Sequence, residues 1–264
     1  MKKAFVIFLS VIAALTLFAC GSKEESAVAY AIVHKDYVGV VNLVVEGDII
    51  NDVIIDEYYL PYTWAKVAGT AAEGPADVVI VASTNTATPP VTTYAWYAKY
   101  IVIGDKHFTG ELRTTTLVIG EVTYSKQTVK YVAEGVEDLF VWLLNSEANC
   151  EWYVQQLQDG KAFVAKDTFA VNTSLSVWNQ GNGFEKDVTG YWSGSSYPLG
   201  WQGNMNALYA AVEGKAFDAE ATLVRATVAP LVWSIGDAVT GATMSDFANY
   251  YDLIALAYAK TQAE

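Results

Sequence analysis

Cysteine and histidine are almost missing from this chain, which has two of each in 264 residues. His34 and His107 have neither a cysteine nor another histidine close by in sequence, so the spacing of a zinc site is absent. Basic side chains are scarce as well: 16 Lys and Arg stand against 29 Asp and Glu, a formal net charge of −13. Phosphate backbones are held by clustered Lys and Arg, so this composition excludes a nucleic-acid binder and fits a soluble acidic surface. There is no Gly-x-Ser-x-Gly nucleophile elbow and no P-loop, and Gly181-Asn182-Gly183 and Gly194-Ser195-Ser196 read as loop glycines. A regular β-α-β alternation and an internal repeat are likewise missing. Long apolar runs reduce to one, Ala4 to Phe18, interrupted by Ser10 and Thr16 and too short for a comfortable membrane span.

That run has a context. Lys2 and Lys3 precede it, Ala19 and Cys20 follow it, and a polar stretch from Gly21 to Ser26 comes next. A basic start, an apolar middle and a small residue at the end are the pattern of a cleaved export signal. Leu17-Phe18-Ala19-Cys20 resembles the lipobox of bacterial lipoproteins, whose cysteine is acylated and becomes the first residue of the mature chain. The expected organisation is a lipoprotein signal over 1–19, a lipidated tether over 20–27, and a folded domain over 28–264 with room for an inserted or second subdomain in its middle. The alternatives are a plain secreted protein and an uncleaved anchor. With Cys20 lipidated, Cys150 has no disulfide partner; among Trp152, Val154 and Leu157 it reads as a small buried apolar residue.

The periodicity points to α+β, with a mostly antiparallel sheet and packed helices. Tyr37 to Glu46 and Ile49 to Tyr58, joined by Gly47-Asp48, form a β-hairpin. Asp77 to Ala82 is a short strand. Tyr97 to Ile103 and Lys106 to Arg113 form a second hairpin about Gly104-Asp105, with a further strand over Leu117 to Tyr124. Helical spacing follows at Val136, Phe140 and Leu143, and again at Cys150, Val154 and Leu157, with a break over Asn145 to Asn149. Phe163 to Trp178 returns to strand character, and Gly181 to Gly200 is an aromatic, glycine-rich loop. Met205 to Val212 is a helix stopped by Gly214. Ala221 to Val232 reads as a strand, with Pro230 near its end. A turn over Ser234 to Ala242 then leads to a final helix striped by Phe247, Tyr251, Ile254 and Tyr258.

The turn before that last helix carries the chemistry. In Asp237-Ala238-Val239-Thr240-Gly241-Ala242-Thr243, a hydroxyl stands where a helix is expected to begin, near Met244. Free N–H groups and the positive end of the dipole make such a place attractive to a phosphate. Gly241 and Ala242 would give backbone room, and Asp237 would hold the turn by accepting N–H groups. On these residues alone, a plain capping turn with Ser245 as N-cap is the favoured reading.

The same seven residues resemble the Asp-x-x-[Ser/Thr]-Gly-Ala-[Ser/Thr] flavinylation motif of the FMN-binding domain family. Every defining position is met. Asp36-Tyr37-Val38-Gly39 followed by Val44 to Val53 is similar to the opening hairpin of those domains, although Asp36 meets Tyr37 without an intervening residue. From about Thr63 to Gly183 the similarity is vague, and that segment does not map onto the family. The resemblance implies FMN joined by a phosphoester to Thr243, with Asp237, Thr240, Gly241, Ala242 and Met244 around it. A separate flavin transferase would make the bond from FAD with magnesium. Together with the lipobox, the motif resembles flavinylated surface lipoproteins of Gram-positive bacteria. It implies one covalent FMN per chain, a lipid anchor on the extracytoplasmic face of the cell membrane, and electron relay from a membrane NADH dehydrogenase or quinone to an extracellular acceptor. Such a protein is an electron carrier, with at most weak flavin reductase activity, and has no catalytic residues of its own and no metal site. Two alternatives remain open. One is a subunit of a sodium- or proton-coupled membrane oxidoreductase, against which Cys20 argues. The other is a non-redox lipoprotein that binds a peptide, glycan or metabolite through aromatic loops; Tyr191, Trp192, Tyr197 and Trp201 are its candidates.

Overall fold

A computed structural model describes residues 23–34, 37–84, 89–119, 122–177, 183–186 and 199–263. The expected signal, Cys20, Asp36 and the loop aromatics Tyr191, Trp192 and Tyr197 lie outside them. Every strand pair among the described residues is antiparallel, and five helices pack around the sheets, so the chain is α+β as its periodicity implied.

The first sheet is β1 (Glu24–Val33), β2 (Tyr37–Glu46) and β3 (Ile49–Tyr59), in that order. The expected hairpin is β2–β3. β1 was not expected: it begins inside the stretch assigned to a polar tether, and Glu24 to Ser26 pair with Glu46 to Val44. Backbone ladder bonds order this segment whatever its side chains, which is why its polarity misled. A one-turn helix, α1 (Pro61–Trp64), leads to β4 (Lys66–Val67), β5 (Val78–Thr84) and β6 (Thr92–Ala98), which form a sheet of order β4-β6-β5. β7 (Tyr100–Ile103), β8 (Lys106–Ile119) and β9 (Val122–Val132) continue into a third sheet. The separate strand expected over Leu117 to Tyr124 is instead the two paired ends of the β8–β9 hairpin, with Leu117 opposite Tyr124. A β-rich run does not reveal a reversal at its centre.

Helices α2 (Leu139–Leu144) and α3 (Glu147–Gln158) follow the 3.6-residue spacing, but Val136 lies before α2 in an isolated bridge with Ala133, and the break expected over Asn145 to Asn149 shrinks to Asn145 and Ser146. Asp138 and Ser146 act as N-caps, each accepting from a backbone N–H. β10 (Ala162–Ala165) joins the edge of β7, and strand character stops there rather than running to Trp178. Then come α4 (Gly200–Val212), β11 (Leu223–Arg225), β12 (Trp233–Ile235), β13 (Ala238–Val239) and α5 (Phe247–Thr261). The long strand expected over Ala221 to Val232 shrinks to the three residues of β11; Ala226 to Val232 form a loop.

One buried cluster runs from Ala29 to Ala257 and takes in all five helices. α5 packs on β1 and β2 and buries Phe247, Tyr250, Tyr251, Leu253, Ile254 and Ala257. Burying each of the larger side chains is worth about 1.5–3 kcal/mol, far more than helix propensity. Gly39 makes this docking possible: a Cβ there would sit 2.9 Å from Leu253 Cδ2 and from both γ-methyls of Val33. The middle segment is joined to the first sheet through buried polar bonds. Trp64 Nε1 donates to Tyr153 Oη at 3.0 Å, and that hydroxyl donates to Tyr59 O at 2.7 Å.

Candidate functional site

The hairpin β12–β13 turns at Gly236-Asp237 and feeds directly into the turn that ends at Thr243. Its hydrogen bonds come from the motif's own threonine. Thr240 N and Thr240 Oγ1 both donate to Trp233 O at 2.9 Å, and Thr240 Oγ1 accepts from Ala242 N at 3.1 Å. Asp237, expected to brace this turn, is exposed at the hairpin tip and receives no hydrogen bond among the described residues. The short hydroxyl of Thr240 lies closer to the groups that need partners, and it replaces the carboxylate.

Gly241 has φ +83°, and a Cβ there would meet nothing within 4 Å. Glycine is required by the left-handed backbone, and the spatial room expected of it is not the reason. Ala242 is fully buried, so its small size serves packing. Its carbonyl accepts from Trp233 N at 2.9 Å.

Thr243 is half-buried and its backbone is held from both sides. Asn204 of α4 reaches across: its Oδ1 accepts from Thr243 N at 2.8 Å, Met244 N at 3.1 Å and Thr243 Oγ1 at 3.4 Å. The Asn204 amide nitrogen donates to Gly200 O at 2.7 Å, which fixes which end of the side chain faces the turn. Arg225 Nη2 donates to Thr243 O at 3.1 Å, and Trp233 Nε1 donates to Met244 O at 2.6 Å. The helix does not begin near Met244. It begins at Phe247, with Asp246 rather than Ser245 at the N-cap position; the Asp246 carboxylate makes no capping bond and instead meets His34 Nδ1. The N–H groups expected from a helix start are therefore those of Thr243 and Met244 in an irregular turn, converging on one oxygen of Asn204. Positive charge comes from Arg225 and not from the helix dipole.

Sequence reasoning missed both Asn204 and Arg225. Asn204 left no signal, since it is one polar residue on an amphipathic helix. Arg225 left a faint one: only two arginines occur in the chain, Arg113 and Arg225.

Behind the turn lies a second polar feature. Lys186 and Glu57 of β3 form an ion pair in which both side chains are fully buried. Glu57 Oε1 also accepts from Tyr250 Oη at 2.8 Å, and Glu57 O accepts from Lys186 N at 2.9 Å. Lys186 Nζ lies 4.2 Å from the ring centres of both Tyr37 and Trp201. Burial raises the Glu57 carboxyl above the usual carboxylate range, and the Lys186 ammonium opposes that rise. Trp201 precedes Asn204 by one turn of α4, and Tyr250 follows Phe247 by one turn of α5. The cluster thus locks the two helices whose ends meet at Thr243. Trp201, a candidate loop aromatic, is buried in this cluster.

Among the described residues, no three His, Cys, Asp or Glu side chains converge to hold a metal, and no helix is long and apolar enough to cross a membrane. Compared with protein-family models, with curated proteins and with solved structures, the chain matches none.

Proposed function

We propose that this chain is a lipid-anchored, extracytoplasmic flavoprotein that relays electrons through FMN joined covalently to Thr243. The observation that carries the reading is the Asp237–Thr243 turn. A complete flavinylation-type sequence ends in a half-buried hydroxyl, Thr243, on a rigid backbone beside an arginine. The residues fit a phosphoester: Thr243 supplies the oxygen and Arg225 supplies charge, while the N–H groups of Thr243 and Met244 are taken by Asn204 Oδ1 and hold the turn that presents the hydroxyl. Attachment forms a bond between Thr243 Oγ1 and the FMN phosphorus of FAD and breaks the pyrophosphate link. AMP leaves, and the hydroxyl proton is lost to solvent. A flavin transferase with magnesium catalyses that step, and nothing at the turn needs to act as a base of its own. Once bound, FMN supplies the electron-accepting and electron-donating chemistry.

This chain's own contribution is to present and hold. Thr240 and Gly241 shape the turn, Asn204 and Arg225 pin the backbone on either side of the hydroxyl, and the Glu57–Lys186–Tyr250 cluster keeps α4 and α5 in register. The lipobox-like Cys20 would keep the domain within reach of a membrane NADH dehydrogenase or quinone as donor. Co-expression with a flavin transferase tests the reading. The product is expected to be yellow, to keep its colour after denaturation, and to gain the mass of one FMN less water. Thr243→Ala should abolish that gain and Thr243→Ser should retain it. A colourless product of unmodified mass, made beside an active transferase, overturns the assignment.

A further inference from the structure

The two arginines stand in two different places. Arg225 holds the Thr243 turn; Arg113, on β8, lines a separate cavity of about 380 Å³ in the middle segment. Six elements build that cavity: α1, α2 and the strands β5, β6, β8 and β9. Its walls carry three aromatic rings, Tyr62, Tyr97 and Phe140, and the polar groups Arg113, Gln127 and Thr128. The size is within the range of roughly 300–1,000 Å³ typical of small-molecule sites, and so is the pattern of aromatic walls with a few polar groups.

The polar groups are oriented. Gln127 Oε1 accepts from Ala82 N at 2.8 Å, which leaves its NH₂ group as the remaining donor. Arg113 stands directly opposite Thr128 across the β8–β9 ladder. One guanidinium nitrogen, Nη1, donates to Asp138 Oδ2 at 3.0 Å. The other Asp138 oxygen is used as the N-cap of α2, so this carboxylate is committed to holding Arg113 and the helix. Arg113 also borders the neighbouring cavity, and Asp138, Glu137 and Lys130 line that cavity and not this one. In a chain with 29 acidic residues, a cavity wall whose only charged side chain among the described residues is an arginine stands out. Arginine also leaves several donors in a planar fork after one is used, a geometry matched to a carboxylate.

We propose that this cavity binds a small planar aromatic carboxylate, with the ring among Tyr62, Tyr97 and Phe140 and the carboxylate on Arg113 and the Gln127 amide. The site is independent of flavin attachment at Thr243. Benzoate is the probe, titrated into the purified full-length protein in detergent and followed by calorimetry and ligand-observed NMR. Saturable one-to-one binding is expected. Benzamide, of the same shape without charge, should bind at least tenfold more weakly. Arg113→Gln should weaken benzoate at least tenfold, and Phe140→Ala should weaken benzoate and benzamide alike; the unchanged melting temperature of each variant would show that it is folded. Thr243→Ala should leave benzoate binding unaltered, which separates this site from the flavin assignment. No saturation with benzoate, equal affinity in Arg113→Gln, or a preference for benzylamine would each overturn the proposal.

Discussion

Asn204 shows how much one side chain can organise. It satisfies two backbone donors in a turn with no secondary structure of its own, and it is itself buried. Asn204→Ala strands both N–H groups, and a buried unsatisfied donor costs about 1–3 kcal/mol. A fall in melting temperature is therefore expected, together with loss of flavin incorporation, since Thr243 would no longer be held for modification. Normal incorporation in a destabilised Asn204→Ala protein would confine the residue to a structural role. Cys150 sits at the opposite extreme. It is buried, its thiol donates to Leu143 O at 3.3 Å, and burial pushes its pKa up to about 12. A thiol so rarely ionised at neutral pH is inert. In a Cys20→Ser chain, a thiol reagent at pH 8 should label nothing until denaturant is added, and rapid labelling of the folded protein would show Cys150 to be accessible.

At the scale of elements, α4 and α5 matter through what ties them. Tyr209 of α4 both accepts from Ile55 N at 2.8 Å and donates to Ile55 O at 3.2 Å. Lys260, in the last turn of α5, donates to Val28 O and to Glu147, joining α5, β1 and α3. Between these ties lies the Glu57–Lys186 pair. Lys186→Met leaves Glu57 buried without its counter-charge, a change that costs about 3–5 kcal/mol. The sign of its pH dependence follows from burial. The folded Glu57 carboxyl titrates above its unfolded value, so the folded state holds the proton more tightly. The variant should be most stable below the ordinary glutamate pKa of about 4.3 and lose stability as pH rises through the elevated folded value. Denaturant melts between pH 4 and 8 would follow this loss, and the double change Glu57→Gln with Lys186→Met should remove most of the pH slope. A flat profile for Lys186→Met would mean that water reaches the carboxylate.

For the whole molecule, the main fact is continuity. The first sheet and α5 come from the two ends of the described chain, and the middle segment lies between them in sequence, yet one buried cluster includes all three. Trp64, Tyr153 and Tyr59 stitch them together through the interior. Unfolding should then be a single transition, with tryptophan fluorescence and far-ultraviolet circular dichroism sharing one midpoint. Two separated midpoints would show that the middle segment melts as its own unit.

Local pattern determined what depends on neighbours in sequence. The β2–β3 hairpin was legible from its valines and Gly47-Asp48, α2 and α3 from their 3.6-residue spacing, and α5 from its aromatic stripe. The motif ending at Thr243 was legible because its residue types are contiguous. Tertiary structure decided the rest, because the interactions concerned join residues far apart in the chain. β1 exists because β2 offers it a ladder, and β11 shortens because only three of its residues find a partner. Gly39 matters because α5 comes to rest on it, and Asp237 yields to Thr240 because of how the turn closes. Thr243 is held by Asn204, 39 positions away, and by Arg225. No periodicity carries such a pairing. It arises when the buried faces of α4 and α5 meet, and the geometry of that meeting selects which polar side chain reaches the turn.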